Sequence, residues 1–208
     1  MVKRLFPAVL FALGLTAVIS VQPANGSTAI SFDDVSSVST AHYCMGYEFT
    51  PSVNILVTHL GFYDYNDDGI GDNHPVGIFR TSDSVLITSL TVLTTDPASG
   101  NSPNGYFHYQ ALGTPVTLTG GTTYRIAAVT LGFDPWPYNG FTNLSSDPLI
   151  TLGNGYYVTG SSLVMPTNSA PPEFYATSNF LFEVPEPASL VLLIAGGTLM
   201  LQRQRKSV

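Results

Sequence analysis

Short runs of β-branched and aromatic residues, separated by compact turn signals, fill most of this sequence. The longest run, 53–63, alternates apolar and polar residues in part, which is typical of a half-buried strand. The polar stretch 81–84 and the pairs Gly120-Gly121 and Asn154-Gly155 favour tight turns between such runs. The other strand-like runs are 43–49, 76–79, 85–93, 106–109, 124–131, 155–158 and 180–184. From residue 27 to 184 no stretch keeps a helical period over three turns, so we predict an all-β fold, an antiparallel β-sandwich or jelly roll.

The composition agrees with one domain built from short strands. Of 208 residues, 19 are Gly and 15 are Pro, while only 10% are charged. Without its two apolar ends the chain keeps residues 27–184, which is enough for one sizeable core. Cys44 is the only cysteine, so no disulfide can form within the chain, and its strand-like surroundings favour a buried, inert thiol.

The predicted domain is strongly acidic. Residues 27–184 contain thirteen Asp and Glu against two Arg, a net charge near −11 with His neutral. A surface of this sign repels a phosphate backbone, so we expect no nucleic-acid partner. It is typical of a solvated extracellular protein, and a protein that collects divalent cations is the alternative.

Residues 1–26 have the three parts of a secretory signal peptide. Lys3 and Arg4 precede an apolar run, 5–21, and the small residues Ala24 and Gly26 follow it. This pattern predicts an N-terminal signal helix and cleavage before Ser27, with cleavage before Ile30 as the alternative. The export machinery is therefore an expected partner.

Residues 185–208 combine three features in a fixed order. The rigid turn Pro185-Glu186-Pro187 comes first, an apolar run, 188–201, follows, and a basic cluster closes the segment with Arg203, Arg205 and Lys206. The fourteen residues of this run span only ~21 Å as a helix, against ~30 Å of hydrocarbon, so we predict a short transmembrane helix that is a poor permanent anchor. The basic cluster is expected to stay cytoplasmic, with the β domain outside.

These residues closely resemble the PEP-CTERM sorting signal of exported proteins from bacteria that make exopolysaccharide. The resemblance implies recognition by an exosortase, a membrane-embedded cysteine transpeptidase, near Pro185-Glu186-Pro187. An ordinary tail anchor is the alternative. The segments 46–50, 58–63 and 115–124 also look like uncharacterised bacterial extracellular β-sandwich domains that occur beside several kinds of surface anchor. This second resemblance implies a sandwich and transfers no catalytic residue.

The acidic stretch 64–72 is a candidate Ca²⁺ site. Its oxygen donors stand at loop positions 1, 3, 5, 7 and 9, which is the donor set that hard cations prefer. The predicted ligands are Asp64, Asn66, Asp68, the backbone carbonyl of Ile70, and Asp72. Pro75 occupies the position where an EF-hand carries a bidentate Glu, which favours a Ca²⁺ site in a sandwich loop over an EF-hand. The alternative is an exposed β-connection in which Asp and Asn accept backbone N–H groups and glycines adopt positive φ.

A second candidate site is an aromatic loop rich in Pro and Gly. Exposed rings there would stack on sugar faces, whereas buried rings would plug one end of the sandwich. The candidate ligand-binding residues are Phe133, Trp136, Tyr138 and Phe141.

The sequence favours a non-enzymatic function. It contains no metalloprotease His pair, nucleophile elbow, phosphate loop or dinucleotide fingerprint, and its histidines stand singly in ways typical of structural roles. We predict an exported protein that is anchored in the membrane as a precursor and then reaches the cell envelope or the extracellular matrix, with exopolysaccharide as a further partner. The alternative is a calcium-dependent carbohydrate-binding module.

Overall fold

The computed structural model describes residues 26–102, 105–169 and 171–185, with the backbone alone for 99–102. Within these ranges the chain is all-β and no residue is helical. Its strands are β1 (Ser27–Thr28), β2 (Ile30–Ser31), β3 (Asp34–Val35), β4 (Val38–Ser39), β5 (Tyr43–Pro51), β6 (Ile55–Tyr65), β7 (His74–Arg80), β8 (Leu86–Val92), β9 (Ala98–Ser102), β10 (Gly105–Leu118), β11 (Tyr124–Val129), β12 (Trp136–Pro137), β13 (Phe141–Thr142), β14 (Ser145–Ser146), β15 (Ile150–Thr159), β16 (Asn168–Ser169) and β17 (Ser178–Glu183).

The long strands form two sheets in which every pairing is antiparallel. One sheet has five strands in the order β1-β17-β6-β10-β9, and the other has six in the order β16-β15-β5-β11-β7-β8. Gly46 allows β5 and β11 to approach closely, since a Cβ atom there would lie 2.0 Å from the carbonyl oxygen of Ile126. The first and last strands are neighbours, because Ser27 of β1 pairs with Phe182 of β17.

Apolar side chains from both sheets meet in one core. On β6 the buried residues include Ile55 and Val57 before Thr58, and Leu60 and Phe62 after it. This change of phase follows from an irregular register with β17 beside Thr58, because an extra residue turns the following side chains to the same face. The rings of Phe49 and Phe180 join the two sheets, with their centroids 4.7 Å apart. The core therefore has the sandwich-like form that the alternating sequence pattern predicts.

A broken ribbon runs beside the two sheets. Its three short pairings join β2 to β14, β3 to β13 and β4 to β12, all antiparallel. Further backbone hydrogen bonds fill the gaps, including one from the N–H of Ser36 to the carbonyl of Gly140 at 3.1 Å. This ribbon fixes the aromatic loop that precedes Phe141 against the segment that leads into β5.

The described strands confirm the predicted all-β, antiparallel fold, since each predicted run overlaps a strand. The turns at 81–84 and at Gly120-Gly121 are also confirmed, with Ser84 and Gly121 at φ of 60° and 75°. Asn154-Gly155 was a wrong prediction: these residues lie inside β15, at an irregularity in its register with β5 between Leu152 and Gly155. A bulge accepts the same turn-forming residues without ending the strand.

The predicted helices, 5–21 and 188–201, lie outside the described residues, as do Glu186, Pro187, Arg203, Arg205 and Lys206. Among the residues that are described, no helix has the length and apolar character needed to cross a membrane.

Candidate ligand-binding site

An aromatic pocket lies where β5 begins and β15 ends. Met45 of β5 pairs with Tyr157 of β15, so their side chains lie on the same face of the sheet. Tyr43 lies two residues before Met45, and Tyr47 two residues after it, which places all three on one face because side chains alternate along a strand. Tyr47 is buried in the main core. The pocket is thus lined by the same face of the sheet that supplies the core.

Trp136 is held over this face by the broken ribbon. It pairs with Ser39 through β12 and β4, and its indole Nε1–H donates to the carbonyl oxygen of Ala41 at 2.9 Å. The backbone N–H of Tyr138 donates to the carbonyl of Ser37 at 2.9 Å. These bonds fix both aromatic side chains, and only 5% of Trp136 is exposed.

The segment before β17 completes the pocket with Glu173 and Tyr175. Asn139 joins this segment to the aromatic loop: its side-chain oxygen accepts the N–H of Phe174 at 3.2 Å, and its own N–H donates to the carbonyl of Phe174 at 3.3 Å. The N–H of Gly155 donates to the carbonyl of Glu173 at 3.2 Å. The Tyr175 hydroxyl donates a short hydrogen bond to the Glu173 carboxylate. The segment that carries Glu173 and Tyr175 is therefore hydrogen-bonded both to the aromatic loop and to β15.

The pocket has a volume of about 350 Å³. Four of its rings form a closed circuit, in which the planes of neighbouring rings are inclined by 72° to 89°. The centroid distances are 5.8 Å for Tyr43–Trp136, 6.3 Å for Trp136–Tyr175, 6.0 Å for Tyr175–Tyr157 and 5.6 Å for Tyr157–Tyr43. A fifth ring, Tyr138, contacts Trp136 at 5.7 Å. Neighbouring rings thus contact each other edge to face, and all four line the same cavity.

The electrostatic character of the pocket is negative. Burial raises the pKa of the Tyr175 phenol, and the hydrogen bond and charge of Glu173 raise it further. No basic residue lines the described pocket. The two Arg side chains of the described residues are engaged elsewhere: Arg80 pairs with Asp83 at 2.6 Å and Arg125 with Glu48 at 3.1 Å.

A family model described as a domain of unknown function, DUF4082, matches residues 31–182 of the 208. The chain belongs to the DUF4082 family. No curated protein matches the chain. The matched segment leaves out β1, the first residue of β2 and the last residue of β17. It contains every residue that lines the aromatic pocket.

In the DUF4082 domain, the four aromatic residues that the sequence predicts to bind a ligand lie in different environments. Trp136 and Tyr138 lie together in the pocket. Phe141 packs in the core instead, with its centroid 5.0 Å from that of Phe32, and Phe133 is 80% exposed. The four rings therefore do not share one surface. Trp136 clusters with Met45 and Tyr175.

The carboxylates of Asp64, Asp68 and Asp72 do not form a group placed to hold a metal ion. Asp64 is buried, and its Oδ2 accepts the N–H of Gly69 at 3.0 Å and faces Nε2 of His108 at 3.0 Å. Asn66 and Asp68 are exposed, Ile70 is buried and Asp72 is half-buried. No group of three His, Cys, Asp or Glu side chains among the described residues is placed to hold a metal ion. The contacts follow the alternative pattern, in which an Asp accepts a backbone N–H and Gly69 adopts a φ of +92°.

Two buried His–Asp pairs hold this loop at its ends. Besides Asp64, His108 contacts the carbonyl of Asp96, through Nδ1 at 2.6 Å. His74 contacts Asp134 through Nε2 at 2.7 Å and the carbonyl of Val129 through Nδ1 at 2.8 Å. Both nitrogens of each ring therefore lie within hydrogen-bond distance of an oxygen of the domain.

Asp134 also caps the far end of the loop. Its Oδ1 accepts the N–H of Gly71 at 2.7 Å and its Oδ2 that of Asp72 at 3.0 Å. The ring of His74 stacks on Phe62, with centroids 3.5 Å apart and planes 1° from parallel. Burial raises the pKa of Asp64, against the lowering effect of its bonds to His108 and Gly69. These histidines are structural, and their nitrogens are occupied by partners within the domain.

Cys44 fits the prediction of an inert thiol. It is fully buried, and its thiol donates to the carbonyl of Val164 at 3.1 Å. Burial raises its pKa to about 11, so the reactive thiolate is scarce at neutral pH.

Sequence reasoning missed Tyr43, Tyr157, Tyr175 and Glu173 as pocket residues. Tyr43 was assigned to a strand and Tyr157 to another, correctly, but the sequence does not show which strands are neighbours. The only available signal was the repeated Tyr at the end of a strand-like run, in Tyr156-Tyr157. One of these two rings lines the pocket, whereas the other lies 3.4 Å from the guanidinium carbon of Arg125.

Proposed function

We propose that this chain is an exported surface or extracellular-matrix protein of non-enzymatic character, whose DUF4082 domain binds a ligand in the aromatic pocket. The observation that carries the binding role is a cavity of about 350 Å³ walled by aromatic rings and one carboxylate. Such concave sites with few polar groups are typical of small-ligand binding. Residues 1–26 would direct export, and the precursor would be held in the inner membrane by residues 188–201 before reaching the envelope or the medium.

The proposed processing at the tail is supported by the way the chain leaves the domain. β17 ends at Glu183, and the next residue, Val184, is 50% exposed. Pro185 is also exposed. An exosortase-type transpeptidase needs an extended peptide outside the folded body, and a proline at this point prevents the strand from continuing. The order of tripeptide, apolar run and basic cluster supports the same proposal.

The position of β1 favours Ser27 over Ile30 as the mature N-terminus. Ala29 is fully buried and its N–H donates to the carbonyl of Phe180 at 3.0 Å. The hydroxyl of Thr28 accepts from the side chain of Asn179 at 3.0 Å. Cleavage before Ile30 would remove these contacts and strand β1, whereas cleavage before Ser27 retains them.

A non-catalytic role is supported by the state of the buried polar groups. Both nitrogens of His74 and of His108 contact oxygens within the domain, so neither ring presents a base to a substrate. The thiol of Cys44 is buried. General acid–base and nucleophilic chemistry require a group that can reach the substrate.

The test of sorting is to replace Pro185, Glu186 and Pro187 together by Ala, in a host that carries the sorting enzyme. The apolar helix can then extend back through the recognition segment, so the unprocessed chain should accumulate in the membrane. Deleting Arg203, Arg205 and Lys206 is the matched change at the other end of the tail, and it should disturb orientation and retention instead. Equal processing of the wild type and the triple variant would contradict the sorting role.

Carbohydrate binding is the second candidate function. The observation that favours it is the placement of Trp136 and Tyr138 at a cavity, where ring faces can stack on a sugar. A glycan array probed with the exported protein tests this role, and a parallel array with a chelator tests whether binding depends on calcium. Binding of exopolysaccharide fragments that is lost in the Tyr138→Ala variant would support it.

A further inference from the structure

We propose that the aromatic pocket is a cage for a methylated ammonium group, such as the head group of choline. The proposal rests on the ligand-binding role proposed above and names the class of ligand. It depends on three properties of the pocket: the arrangement of its rings, the sign of its charge, and the hydrogen bonds that its polar groups already make.

The spacing of the rings is compatible with a cation cage. Tyr43, Trp136, Tyr175 and Tyr157 form a circuit with edges of 5.6 to 6.3 Å and neighbouring planes close to perpendicular. The centre of a square with such edges lies about 4 Å from each centroid, within the ~6 Å at which a ring face attracts a cation. The cavity of about 350 Å³ also leaves room for the chain to which an ammonium head group is attached.

The charge of the pocket favours a cation over an anion. Aromatic faces carry the negative part of the ring quadrupole, and the carboxylate of Glu173 adds a full charge at the wall. The whole segment 27–184 carries thirteen acidic residues against two Arg. Both arginines are paired with carboxylates elsewhere, so neither supplies an internal cation to the pocket.

Two hydrogen-bond donors that line the pocket are already engaged, which favours a methylated ammonium over a sugar. The indole N–H of Trp136 already donates to Ala41, and the hydroxyl of Tyr175 already donates to Glu173. A sugar carries many hydroxyls, and a primary ammonium carries three N–H donors, all of which lose water on binding and need new partners. Methyl groups need none and can pack against ring faces and the Met45 side chain, which lines the same cavity.

The chain provides its own reporter of this pocket. Trp136 is the only tryptophan of the sequence and lines the cavity, so intrinsic fluorescence excited at the indole reports the site directly. The full chain, purified in a nonionic detergent without ammonium groups, is titrated with choline and with tetramethylammonium. The control ligand is 3,3-dimethylbutanol, which has the shape of choline but no charge. Saturable quenching by the two cations is expected, with at least about tenfold weaker binding of the neutral alcohol.

Three variants make the test specific to the cage. Tyr157→Leu removes one wall, and about tenfold weaker choline binding is expected. Glu173→Gln removes the carboxylate, and several-fold weaker binding with a reduced dependence on salt is expected. Tyr156→Leu is the matched control, because this ring lies next to Tyr157 in β15 but stacks against Arg125, and choline binding should not change. If Tyr157→Leu does not fold, Tyr138→Leu replaces it, since this ring lies at the same cavity and is half-exposed.

The possible results separate this proposal from the one on which it rests. Equal binding of choline and its neutral isostere, unchanged binding in both the Tyr157→Leu and Glu173→Gln variants, or absence of any response to either cation would overturn the cage. Quenching by mono- or disaccharides with no response to choline would also overturn it, and would support carbohydrate binding at the same pocket. Processing at the tail is measured separately on the same preparations. A failure of ligand binding can therefore be distinguished from a failure of sorting.

Discussion

The loop 64–74 and the aromatic pocket both contain residues that are typical of functional sites. In the loop these side chains bind partners within the chain, whereas in the pocket they line a cavity. The carboxylate of Asp64 in the loop, and that of Asp134 from a distant segment, accept backbone N–H groups of the loop and contact buried histidines. In the pocket the faces of Tyr43 and Tyr157, with the carboxylate of Glu173, line an open cavity. The first set of groups stabilises the fold, whereas the second is available to a ligand.

The difference shows that residue type alone does not identify a site. Asp at odd positions of a Gly-rich loop is typical of calcium binding, yet the same oxygens also satisfy the N–H groups of a tight turn. A partner within the chain decides between these roles, and here Asp134 is sixty residues away from its partner His74. Such a partner is visible only in the fold.

Replacing Asp134 by Asn should produce the largest loss of stability. The carboxylate accepts hydrogen bonds from the N–H groups of Gly71 and Asp72 and pairs with His74, which is fully buried. Asn offers one acceptor oxygen in place of two, so a buried donor of the loop or of His74 loses its partner, and the free energy of unfolding should fall by about 1–3 kcal/mol. Urea unfolding of the wild type and the variant measures this change.

Asp72→Asn is the matched control for that variant, because the side chain of Asp72 belongs to the same loop but is half-buried. Its change in unfolding free energy should stay within about 0.5 kcal/mol, as for most surface substitutions. Similar losses in the two variants would mean that the His–Asp pair is not the main stabilising contact of the loop.

Glu173→Gln should change the stability less than Asp134→Asn does, and only at alkaline pH. Its effect should come from the pocket. Burial is the main cause of the raised pKa of Tyr175, and the carboxylate adds to it. Without the carboxylate the pKa of Tyr175 should move down but stay above its ordinary value. Tyrosinate absorbance at alkaline pH, taken as the difference between each protein and its Tyr175→Phe counterpart, follows this single phenol.

The raised pKa of Tyr175 determines whether stability rises or falls with pH. A folded phenol with a raised pKa holds its proton at a pH where the unfolded phenol has lost it, so stability falls as pH rises above the ordinary value of about 10. The wild type should therefore lose more stability through Tyr175 at alkaline pH than the Glu173→Gln variant does. An identical titration of the phenol in both proteins would show that Glu173 does not act on it.

The fold was predictable from the sequence because its signals are local. Alternation in 53–63 and the breakers at 81–84 and Gly120-Gly121 depend on neighbouring residues, and the structure has strands and turns there. Asn154-Gly155 was misassigned because a bulge and a turn use the same residues, and only the strand partner β5 distinguishes them. The order of the strands depends on pairings between distant segments, which local patterns do not contain.

The pocket was predictable only in part, for the same reason. Trp136 and Tyr138 stand close together in a loop that the sequence marks as aromatic. Tyr43 and Tyr157 reach the same cavity because β5 and β15 are adjacent, and Glu173 reaches it because Asn139 ties its neighbour Phe174 to the aromatic loop. None of these three joins the pocket through sequence neighbours, so no local pattern could have included them.

Adding calcium should produce the smallest effect of all. Asp64 is engaged with His108 and the N–H of Gly69, Asn66 and Asp68 are exposed, and the Asp carboxylates of the loop do not form a group placed to hold a metal ion. We expect millimolar Ca²⁺, or its removal with a chelator, to change the unfolding free energy by less than about 0.3 kcal/mol, which is the linkage expected when the ion concentration stays below its dissociation constant. Urea unfolding in matched calcium and chelator buffers, repeated with the Asp68→Asn variant, makes the measurement. A stabilisation of about 2.7 kcal/mol is what a site at a hundredfold excess of ion over its dissociation constant would give. If a gain of that size appeared and Asp68→Asn removed it, the loop would be a calcium site after all, and its contrast with the pocket would no longer hold.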